Sequence, residues 1–312
     1  MACFKPLYGY QNDLPNSNGK FPVYFSRNGS EKNPITVPCG RCIGCRLERA
    51  RQWGVRCMHE ASLHEENAFI TLTYNDENLP KDGSLNKKHF QDFMKRLRYY
   101  MPGKTIKFYH CGEYGPKLQR PHYHACLFGV DFEDKELWKI TPNKERLFTS
   151  ALLSKAWQNR GFVTTGSVTF ESANYVARYI LKKITGDKAN EHYESIDYES
   201  GLVSKLQPEY TTMSRGGRDG RGIAHDWYER FSSDVFPSDS VIVNGSPCMP
   251  PRYYVSQLEQ ADPDLYKTVK EKRKARALNH LADQTEARLK VRENVKLAQI
   301  GQLIRPYEAE QL

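Results

Sequence analysis

The chain has 312 residues, of which 39% are hydrophobic, so it can bury the core of one large domain or two ordinary ones without disulfide bonds. Its net charge of +9 favours a polyanionic partner such as nucleic acid, although a merely basic soluble protein has the same balance. No window approaches 18 apolar residues, and the start of the chain lacks the apolar core of a signal peptide. The composition therefore argues against a membrane span and predicts a cytoplasmic protein.

Three of the eight cysteines have the spacing Cys39-x-x-Cys42-x-x-Cys45. Closely spaced thiolates bind one soft metal ion, and a structural zinc takes four ligands, so the spacing predicts a zinc site that lacks one ligand. The candidates for the fourth ligand, in order of preference, are Cys3, Cys57 and His59. An iron–sulfur cluster is the competing ligation, and plain reduced cysteines are the alternative to any metal.

Hydrophobic periodicity predicts the elements that follow. Apolar residues recur at helical spacing from Arg46 to Leu63, where arginines on the other faces predict either phosphate contacts or a solvated surface. The next elements are strand Ala68 to Tyr74, helix Lys87 to Tyr100, strands Thr105 to Glu113 and His122 to Gly129, a helix near Phe148 to Asn159, strand Phe162 to Phe170 and helix Ser172 to Lys183. This β-α-β-β-α-β order with one more helix predicts an α+β fold of the split βαβ, ferredoxin-like type, an antiparallel sheet with helices on one face.

Two histidines alternate with hydrophobic residues on the third of these strands, in the segment Arg120-Pro-His-Tyr-His-Ala-Cys-Leu-Phe-Gly129. Because successive side chains of a strand point to opposite faces, His122 and His124 face the same way. Two neutral imidazoles side by side are half of a divalent-metal site and leave positions for a carboxylate, water or a phosphate oxygen. The alternative is a chance pair, for which the composition predicts about 0.1 such triplets per chain.

The last of these helices carries two tyrosines four residues apart, Tyr175 and Tyr179. The spacing alone is weak evidence, because 19 tyrosines give about one such pair by chance. On a helical wheel Tyr175, Tyr179 and Lys182 fall within about 60° of one another. A separate stripe is apolar: Ala173, Val176, Ala177 and Ile180. The pattern predicts that the apolar stripe packs on the domain and that the tyrosines lie at its edge, facing a neighbouring site.

A His-hydrophobic-His strand followed by a Tyr-x-x-x-Tyr helix resembles the HUH endonuclease superfamily, specifically its two-tyrosine rolling-circle replication initiators. Within that group the chain is most similar to the initiators of gokushoviruses, small single-stranded DNA phages of the microvirus group. The segments that carry the resemblance are Cys39-Gly-Arg-Cys-Ile-Gly-Cys45, Phe69-Ile-Thr-Leu-Thr-Tyr74, Gly112-Glu113-Tyr-Gly115, Arg120-Pro-His-Tyr-His124 and Tyr175-Val-Ala-Arg-Tyr179. The resemblance spans residues 1 to 255 and implies the same split βαβ fold.

Glu113 is the candidate third metal ligand. A hairpin between the second and third strands brings the end of the former close to the start of the latter, and hence Glu113 close to His122. A carboxylate completes an N2O set of ligands for a hard cation. His110 is the competing residue, but alternation turns it to the opposite face. The other interpretation of Glu113 is an ordinary surface carboxylate beside Lys117.

The rest of the chain divides into a polar stretch near 186–212, a glycine-rich loop from Met213 to Gly222 and a charged tail. The polar stretch is a loop or an inserted hairpin, and the glycine-rich loop predicts either phosphate contacts or a flexible surface. Asp262-Pro263 predicts the start of a helix that breaks at Asp283-x-x-Glu286. Three parts follow: a Cys-rich segment with a basic helix at 1–64, the HUH domain at 65–255 and a charged helical tail at 256–312.

The resemblance implies a metal-dependent nickase and strand transferase. A tyrosine attacks the phosphate at the origin and stays linked to the 5′ end, and the second tyrosine lets the strand be rejoined into a circle. The implied nucleophiles are Tyr175 and Tyr179 with help from Lys182, and the implied ligands of Mg²⁺ or Mn²⁺ are His122, His124 and Glu113. The predicted DNA contacts are Arg120, Lys183, Arg215, Arg218 and Arg221.

The implied partners are single-stranded and double-stranded phage origin DNA, with a host helicase and a host DNA polymerase, in the host cytoplasm and without a membrane. Two other interpretations stay open. A non-catalytic zinc-dependent DNA-binding protein would tolerate phenylalanine at both tyrosines. An HUH transposase or plasmid relaxase usually differs around the tyrosines, and the cysteine segment favours the phage initiator.

Overall fold

The computed structural model describes residues 3–17, 19, 21–25, 33–115, 118–141, 144–178, 188–196, 201, 203–216 and 220–302. The strands are β1 (Leu7–Gln11), β2 (Val23–Tyr24), β3 (Pro34–Val37), β4 (Asn67–Leu72), β5 (Lys107–Tyr114), β6 (Pro121–Phe128), β7 (Glu136–Ile140), β8 (Arg146–Thr149), β9 (Val163–Gly166), β10 (Glu194–Ile196), β11 (Val203–Lys205), β12 (Tyr210–Met213), β13 (Val241–Val243) and β14 (Ser246–Cys248). The helices are α1 (Ile43–Ala61), α2 (Lys87–Tyr100), α3 (Ala151–Ala156), α4 (Phe170–Arg178), α5 (Lys188–His192), α6 (His225–Val235), α7 (Arg252–Ala261), α8 (Pro263–Leu278) and α9 (Glu286–Gly301).

The chain forms two compact units. One contains the described residues of Met1–Arg49 and Lys270–Leu303, and the other contains those of Ala50–Val269. The first unit has a three-stranded sheet in the order β2-β1-β3. Its apolar cluster is small and centres on Cys3, Phe4, Cys42 and Leu289. The three-part division made from the sequence stays a prediction, because compactness does not test independent folding.

The larger unit is built on an antiparallel sheet with seven strands among the described residues, in the order β12-β5-β6-β4-β9-β8-β7. Helix α2 joins β4 to β5, a hairpin joins β5 to β6, and α3 precedes β9. Strand β4 pairs with β6 on one side and with β9 on the other, antiparallel in both cases. The α+β class with an antiparallel sheet is therefore confirmed.

Helices cover both faces of this sheet, so the prediction of helices on one face was wrong. Helices α2 and α3 pack on one face, where Phe93, Leu97 and Trp157 are fully buried. Helices α1, α4, α6 and α7 contribute to the cluster on the other face, with Val55, Val176 and Tyr254 among the buried residues. The physical reason is that all eight residues of β6 are buried, so apolar side chains leave the sheet on both sides and both sides must be kept from water. Each such large side chain contributes about 1.5–3 kcal/mol.

Local sequence signals account for most element boundaries. Helix α2 has the predicted bounds, with the Asn86 side chain accepting a hydrogen bond from the Lys88 backbone N–H at its start. The predicted helix 148–159 was partly wrong, because residues 146–149 form β8 and the helix begins only after Ser150, whose hydroxyl accepts from the Leu153 N–H. The tyrosine helix begins at Phe170, where Thr169 and Ser172 exchange backbone-to-hydroxyl hydrogen bonds of 2.8 and 3.1 Å.

Two segments expected to be polar or uninterrupted differ from their predictions. The stretch predicted near 186–212 contains α5 and the β10-β11 hairpin, but its end is not an insert, since Tyr210–Met213 pairs with β5 as an edge strand of the main sheet. In the tail the Asp262 carboxylate accepts from the Leu265 N–H, as expected of a cap. The expected break follows α8, and α9 begins after Thr285, whereas Asp283 forms ion pairs with Arg288 and Arg292.

No helix among the described residues is long and apolar enough to cross a membrane.

Candidate active site

Strand register builds the first group of functional side chains. In the β5-β6 hairpin Glu113 lies opposite His122, and Cys111 lies opposite His124. Because alternate residues share a face, Glu113, His122 and His124 project together from the main sheet. We call these three residues the triad. The hairpin geometry expected from the sequence therefore brings the three side chains together.

The donor atoms of the triad converge closely. One carboxylate oxygen of Glu113, Oε1, lies 2.8 Å from Nε2 of His122 and 3.0 Å from Nε2 of His124. Glu113 and His124 are fully buried and His122 is 6% exposed. Each residue offers one ligand atom, and these atoms all lie within 4.8 Å of one another. Two imidazole nitrogens and one carboxylate oxygen form a set of ligands that suits a divalent cation.

Electrostatics keep the buried carboxyl ionised. Burial by itself raises the pKa of Glu113, but the nearby His122 and hydrogen bonds from both imidazoles outweigh it and lower the pKa to about 2. A carboxylate at neutral pH is the form that ligates a metal. The interpretation of Glu113 as a solvated surface residue does not fit its burial.

Each imidazole is also held at its other nitrogen. Nδ1 of His122 lies 3.1 Å from the backbone carbonyl of Arg120, and Nδ1 of His124 lies 2.9 Å from the hydroxyl of Thr71. Thr71 was not singled out as a site residue from the sequence. Its alternation on β4 shows that it faces one side of the sheet, but only the pairing of β4 with β6 places it beside His124.

His110 does not belong to this group. Its ring stacks on Phe90 with centroids 3.4 Å apart, and its Nδ1 lies 2.8 Å from the hydroxyl of Thr212. Burial holds its pKa well below the usual value for histidine. The expectation that His110 faces away from Glu113 is confirmed.

Tyr175 on α4 packs directly against the triad. Its ring centroid lies 5.2 Å from that of His124 in an edge-on contact, and 6.4 Å from that of Phe69. The apolar stripe of the helix is buried as predicted at Ala173, Val176 and Ala177, and Tyr175 is 9% exposed beside it. The second tyrosine and three basic residues lie outside the described residues: Tyr179, Lys182, Lys183 and Arg218.

The remaining predicted DNA contacts are dispersed. Arg120 forms an ion pair with Asp76 at 2.5 Å and donates to the Tyr74 carbonyl, so its guanidinium is fixed at the surface near the start of β6. Arg215 is exposed. Arg221 is 57% exposed, lies 3.9 Å from Asp226 and lines a cavity of about 380 Å³.

The four cysteines of the smaller unit converge. The Sγ atoms of Cys3, Cys39, Cys42 and Cys45 lie within 4.8 Å of one another, and we call them the cysteine tetrad. Sγ of Cys3 is 3.7 Å from Sγ of Cys39 and 3.9 Å from Sγ of Cys42, and all four are thiols rather than disulfides. The first candidate for the fourth position thus joins the group. The other two do not, because Cys57 is buried beside Cys126 and His59 hydrogen-bonds to Tyr254.

Backbone amides surround the cysteine tetrad. The N–H of Phe4 points at Sγ of Cys42 at 3.3 Å, and the N–H of Cys42 points at Sγ of Cys39 at 3.2 Å. Gly40, at φ +72°, allows the tight turn that aims these amides inward. Burial raises the pKa of Cys42, but N–H groups directed at its sulfur lower it to about 7. Such surroundings favour a thiolate, the form of cysteine that ligates metal.

Comparison with known proteins agrees with this site. The family model for the replication-associated protein ORF2 and its relatives matches residues 67–184, which contain the triad and Tyr175. The chain is 33% identical to the replication-associated protein ORF2 of Spiroplasma virus 4 over 294 residues, which cover 88% of this chain and 86% of the relative.

The chain belongs to the replication-associated proteins of microvirus-like phages. Within this family it is 30% identical over 273 residues to the replication-associated protein VP4 of Bdellovibrio phage phiMH2K, covering 85% of this chain and 79% of the relative. It is also 28% identical over 250 residues to the replication-associated protein ORF4 of Chlamydia phage 1, covering 76% of this chain and 58% of that relative. No solved structure matches the chain.

Proposed function

We propose that this protein initiates phage DNA replication as a metal-dependent, tyrosine-linked nickase of the HUH type. The observation that carries the proposal is the convergence of Glu113, His122 and His124 in the sheet with Tyr175 packed against His124. The strand order β5-β6-β4-β9, with α2 and α3 as the two connecting helices, supports a split βαβ core of this type.

The residues of the triad fit a divalent cation such as Mg²⁺ or Mn²⁺. The fit rests on an ionised, fully buried carboxylate between two imidazoles whose Nδ1 atoms are already engaged, which leaves both Nε2 atoms aimed at one point. When bound there, the cation would supply positive charge to the phosphate under attack and to the departing oxygen. The chain's own contribution is to hold the ligands in place and to bury them, since burial strengthens these interactions.

The role of Tyr175 is nucleophilic. Its phenol oxygen forms a bond to the phosphorus of the scissile phosphate, the bond from phosphorus to the 3′ oxygen breaks, and the phenolic proton is lost to solvent or to the departing oxygen. The product is a 5′-phosphotyrosine and a free 3′-hydroxyl, which primes DNA synthesis. Because the phosphodiester energy is kept, a later 3′-hydroxyl reverses the reaction and circularises the strand. In this proposal Tyr179 is the second nucleophile, and Lys182 assists by binding the phosphate or by lowering a tyrosine pKa.

The cysteine tetrad is proposed to hold a structural zinc ion. Four sulfurs within 4.8 Å of one another, with backbone N–H groups directed at them, fit the closed four-thiolate type of zinc site. All four positions are then protein ligands, which leaves no position for substrate. The tetrad therefore organises the smaller unit and takes no part in the chemistry.

The proposed substrate is phage origin DNA, cut as a single strand from the double-stranded replicative form in the cytoplasm of the host cell. The net charge of +9 fits a polyanionic substrate. Arg120, Arg215 and Arg221 are proposed to contact phosphates on the evidence of their charge and exposure. Elongation from the released 3′-hydroxyl would require a host helicase and a host DNA polymerase.

The test is a denaturing gel of the full chain incubated with single-stranded origin DNA and Mn²⁺. We expect an SDS-resistant protein–DNA adduct that requires Mn²⁺, is lost in the double variant Tyr175→Phe/Tyr179→Phe and is retained in Tyr8→Phe, a matched change at a tyrosine that is 72% exposed. If the double variant and the wild type bound the DNA equally and neither formed an adduct on any origin sequence, the enzymatic proposal would be replaced by the non-catalytic DNA-binding one.

A further inference from the structure

The two imidazoles of the triad are held from behind by different kinds of group. His122 is held by a backbone carbonyl, that of Arg120, whereas His124 is held by a side chain, the hydroxyl of Thr71. A side-chain substitution can therefore remove the contact to His124 but not the contact to His122. This difference makes the role of Thr71 open to experiment.

We propose that Thr71 is a positioning residue that sets which nitrogen of His124 ligates the cation. A neutral imidazole carries one N–H, and the nitrogen that ligates a metal must be the one without it. With Oγ1 of Thr71 2.9 Å from Nδ1, the hydroxyl oxygen accepts the Nδ1 proton, so Nε2 keeps the lone pair that points toward Glu113. This inference rests on the proposed metal site and adds a residue to it.

Packing alone does not select this arrangement. The ring of His124 is stacked on Phe69, with centroids 5.8 Å apart and planes 9° apart, and Tyr175 meets it edge-on. These contacts fix the plane of the ring, but they involve no hydrogen bond to either ring nitrogen. Thr71 is therefore the contact that distinguishes Nδ1 from Nε2.

Thr71 is itself rigidly placed. It lies directly opposite His124 in the β4-β6 pairing and is 9% exposed. A β-branched side chain on a strand has few rotamers, so the hydroxyl stays aimed at the imidazole at little entropic cost. Second contacts of this kind to metal-ligating histidines change metal affinity by roughly 10- to 100-fold when they are removed.

The experiment measures Mn²⁺ binding to the full chain without DNA, by titration calorimetry and by the EPR signal of free Mn²⁺. Thr71→Val keeps the shape and removes the acceptor, and Thr71→Ser keeps the acceptor. We expect Thr71→Val to raise the Kd for Mn²⁺ about 10-fold, and Thr71→Ser to stay within about threefold of wild type. Thr164→Val, the same change at the buried threonine that pairs with Thr71 on β9, is the control and should match wild type.

Adduct formation provides a second readout that a purely structural effect would not reproduce. In Thr71→Val the rate should recover at saturating Mn²⁺, because the defect lies in ligation and not in the nucleophile. Equal Kd values for Thr71→Val and wild type, or a loss that serine does not restore, would overturn the role of Thr71 and leave the proposed nickase intact. If Mn²⁺ binding by the wild type were unaffected by His124→Ala, the metal site would fail and this inference with it.

Discussion

The triad and the cysteine tetrad are both groups of metal-ligating side chains, and they are built in opposite ways. The triad comes from two neighbouring strands of a large sheet whose two faces are covered by apolar side chains. The tetrad joins Cys3 to a segment 36 residues later in a unit whose apolar cluster contains few residues besides the cysteines. The comparison indicates that the fold precedes the metal at the triad, whereas at the tetrad the metal is needed to complete the fold.

The largest effect is expected from breaking the tetrad. Cys42→Ser removes one of four thiolates, so zinc content measured by atomic emission should fall from about one ion per chain to near zero. The smaller unit should then become sensitive to limited proteolysis. Cys248→Ser, at a half-buried thiol outside the tetrad, is the control. Retention of one zinc ion by Cys42→Ser would contradict the proposed site, and loss of Mn²⁺ binding along with zinc would contradict the independence of the two clusters.

Breaking the triad should abolish activity while the fold survives. Glu113→Gln removes the buried carboxylate but keeps its shape, so the rate of adduct formation should fall at least about 100-fold, because the positive charge at the phosphate is lost with the cation. The circular dichroism spectrum and the zinc content should be unchanged. Adduct formation by Glu113→Gln at a rate near that of wild type would show that the carboxylate is not a ligand.

Acid should destabilise the larger unit through buried histidines. Burial lowers the pKa of His59 to about 4, and that of His110 well below its usual value, whereas both titrate near 6.5 when unfolded. Between these values the unfolded chain binds more protons than the folded one, so the free energy of unfolding rises with pH, and it decreases as pH falls below about 6.5.

The measurement is urea unfolding of the larger unit, followed by tryptophan fluorescence, at pH 7 and pH 5. We expect a lower midpoint at pH 5, and a smaller difference in His59→Gln, which removes one of the two histidines and keeps a hydrogen-bonding partner for Tyr254. An unchanged difference in that variant would show that His59 is not responsible. A chelator at pH 7 should affect the smaller unit instead, which separates the two kinds of stabilisation.

The smallest effect concerns the seat of the tyrosine helix. A Cβ at Gly54 of α1 would lie 2.8 Å from Oδ1 of Asn174 and 3.1 Å from the ring of Phe170, both on α4. Gly54→Ala should therefore shift α4 by a few tenths of an ångström and slow adduct formation about threefold, since nucleophile placement is sensitive to small displacements. Mn²⁺ affinity should not change. Gly301→Ala, at a helical glycine with open space around it, is the control, and equal rates for the two variants would contradict the expectation.

Much of the candidate site was predictable because it depends on short-range periodicity. Alternation on one strand puts His122 and His124 on the same face, and a single hairpin brings Glu113 to them, so neither step needs knowledge of the whole fold. The amphipathic pattern of α2, with Phe90, Phe93, Met94 and Leu97 on one side, is equally local, and its bounds were correct. The α+β class follows from the order of these elements.

Other features depended on contacts between residues far apart in the chain. The pairing of β12 with β5, and of β4 with β6 beside Thr71, joins segments about 100 and 50 residues apart. The hairpin of β7 and β8 was missed because Leu147 and Phe148 run without a break into α3 in the hydrophobic pattern.

The sequence by itself determined the two groups of chemistry-bearing residues and the faces on which they lie, because alternation and helical periodicity are properties of neighbouring residues. Only the tertiary structure decided that Cys3 completes the cysteine tetrad, that Thr71 holds His124 and that helices cover both faces of the sheet. Each of these is a choice of partner among many distant residues of the same chemical type, and it is made by the packing of the whole chain.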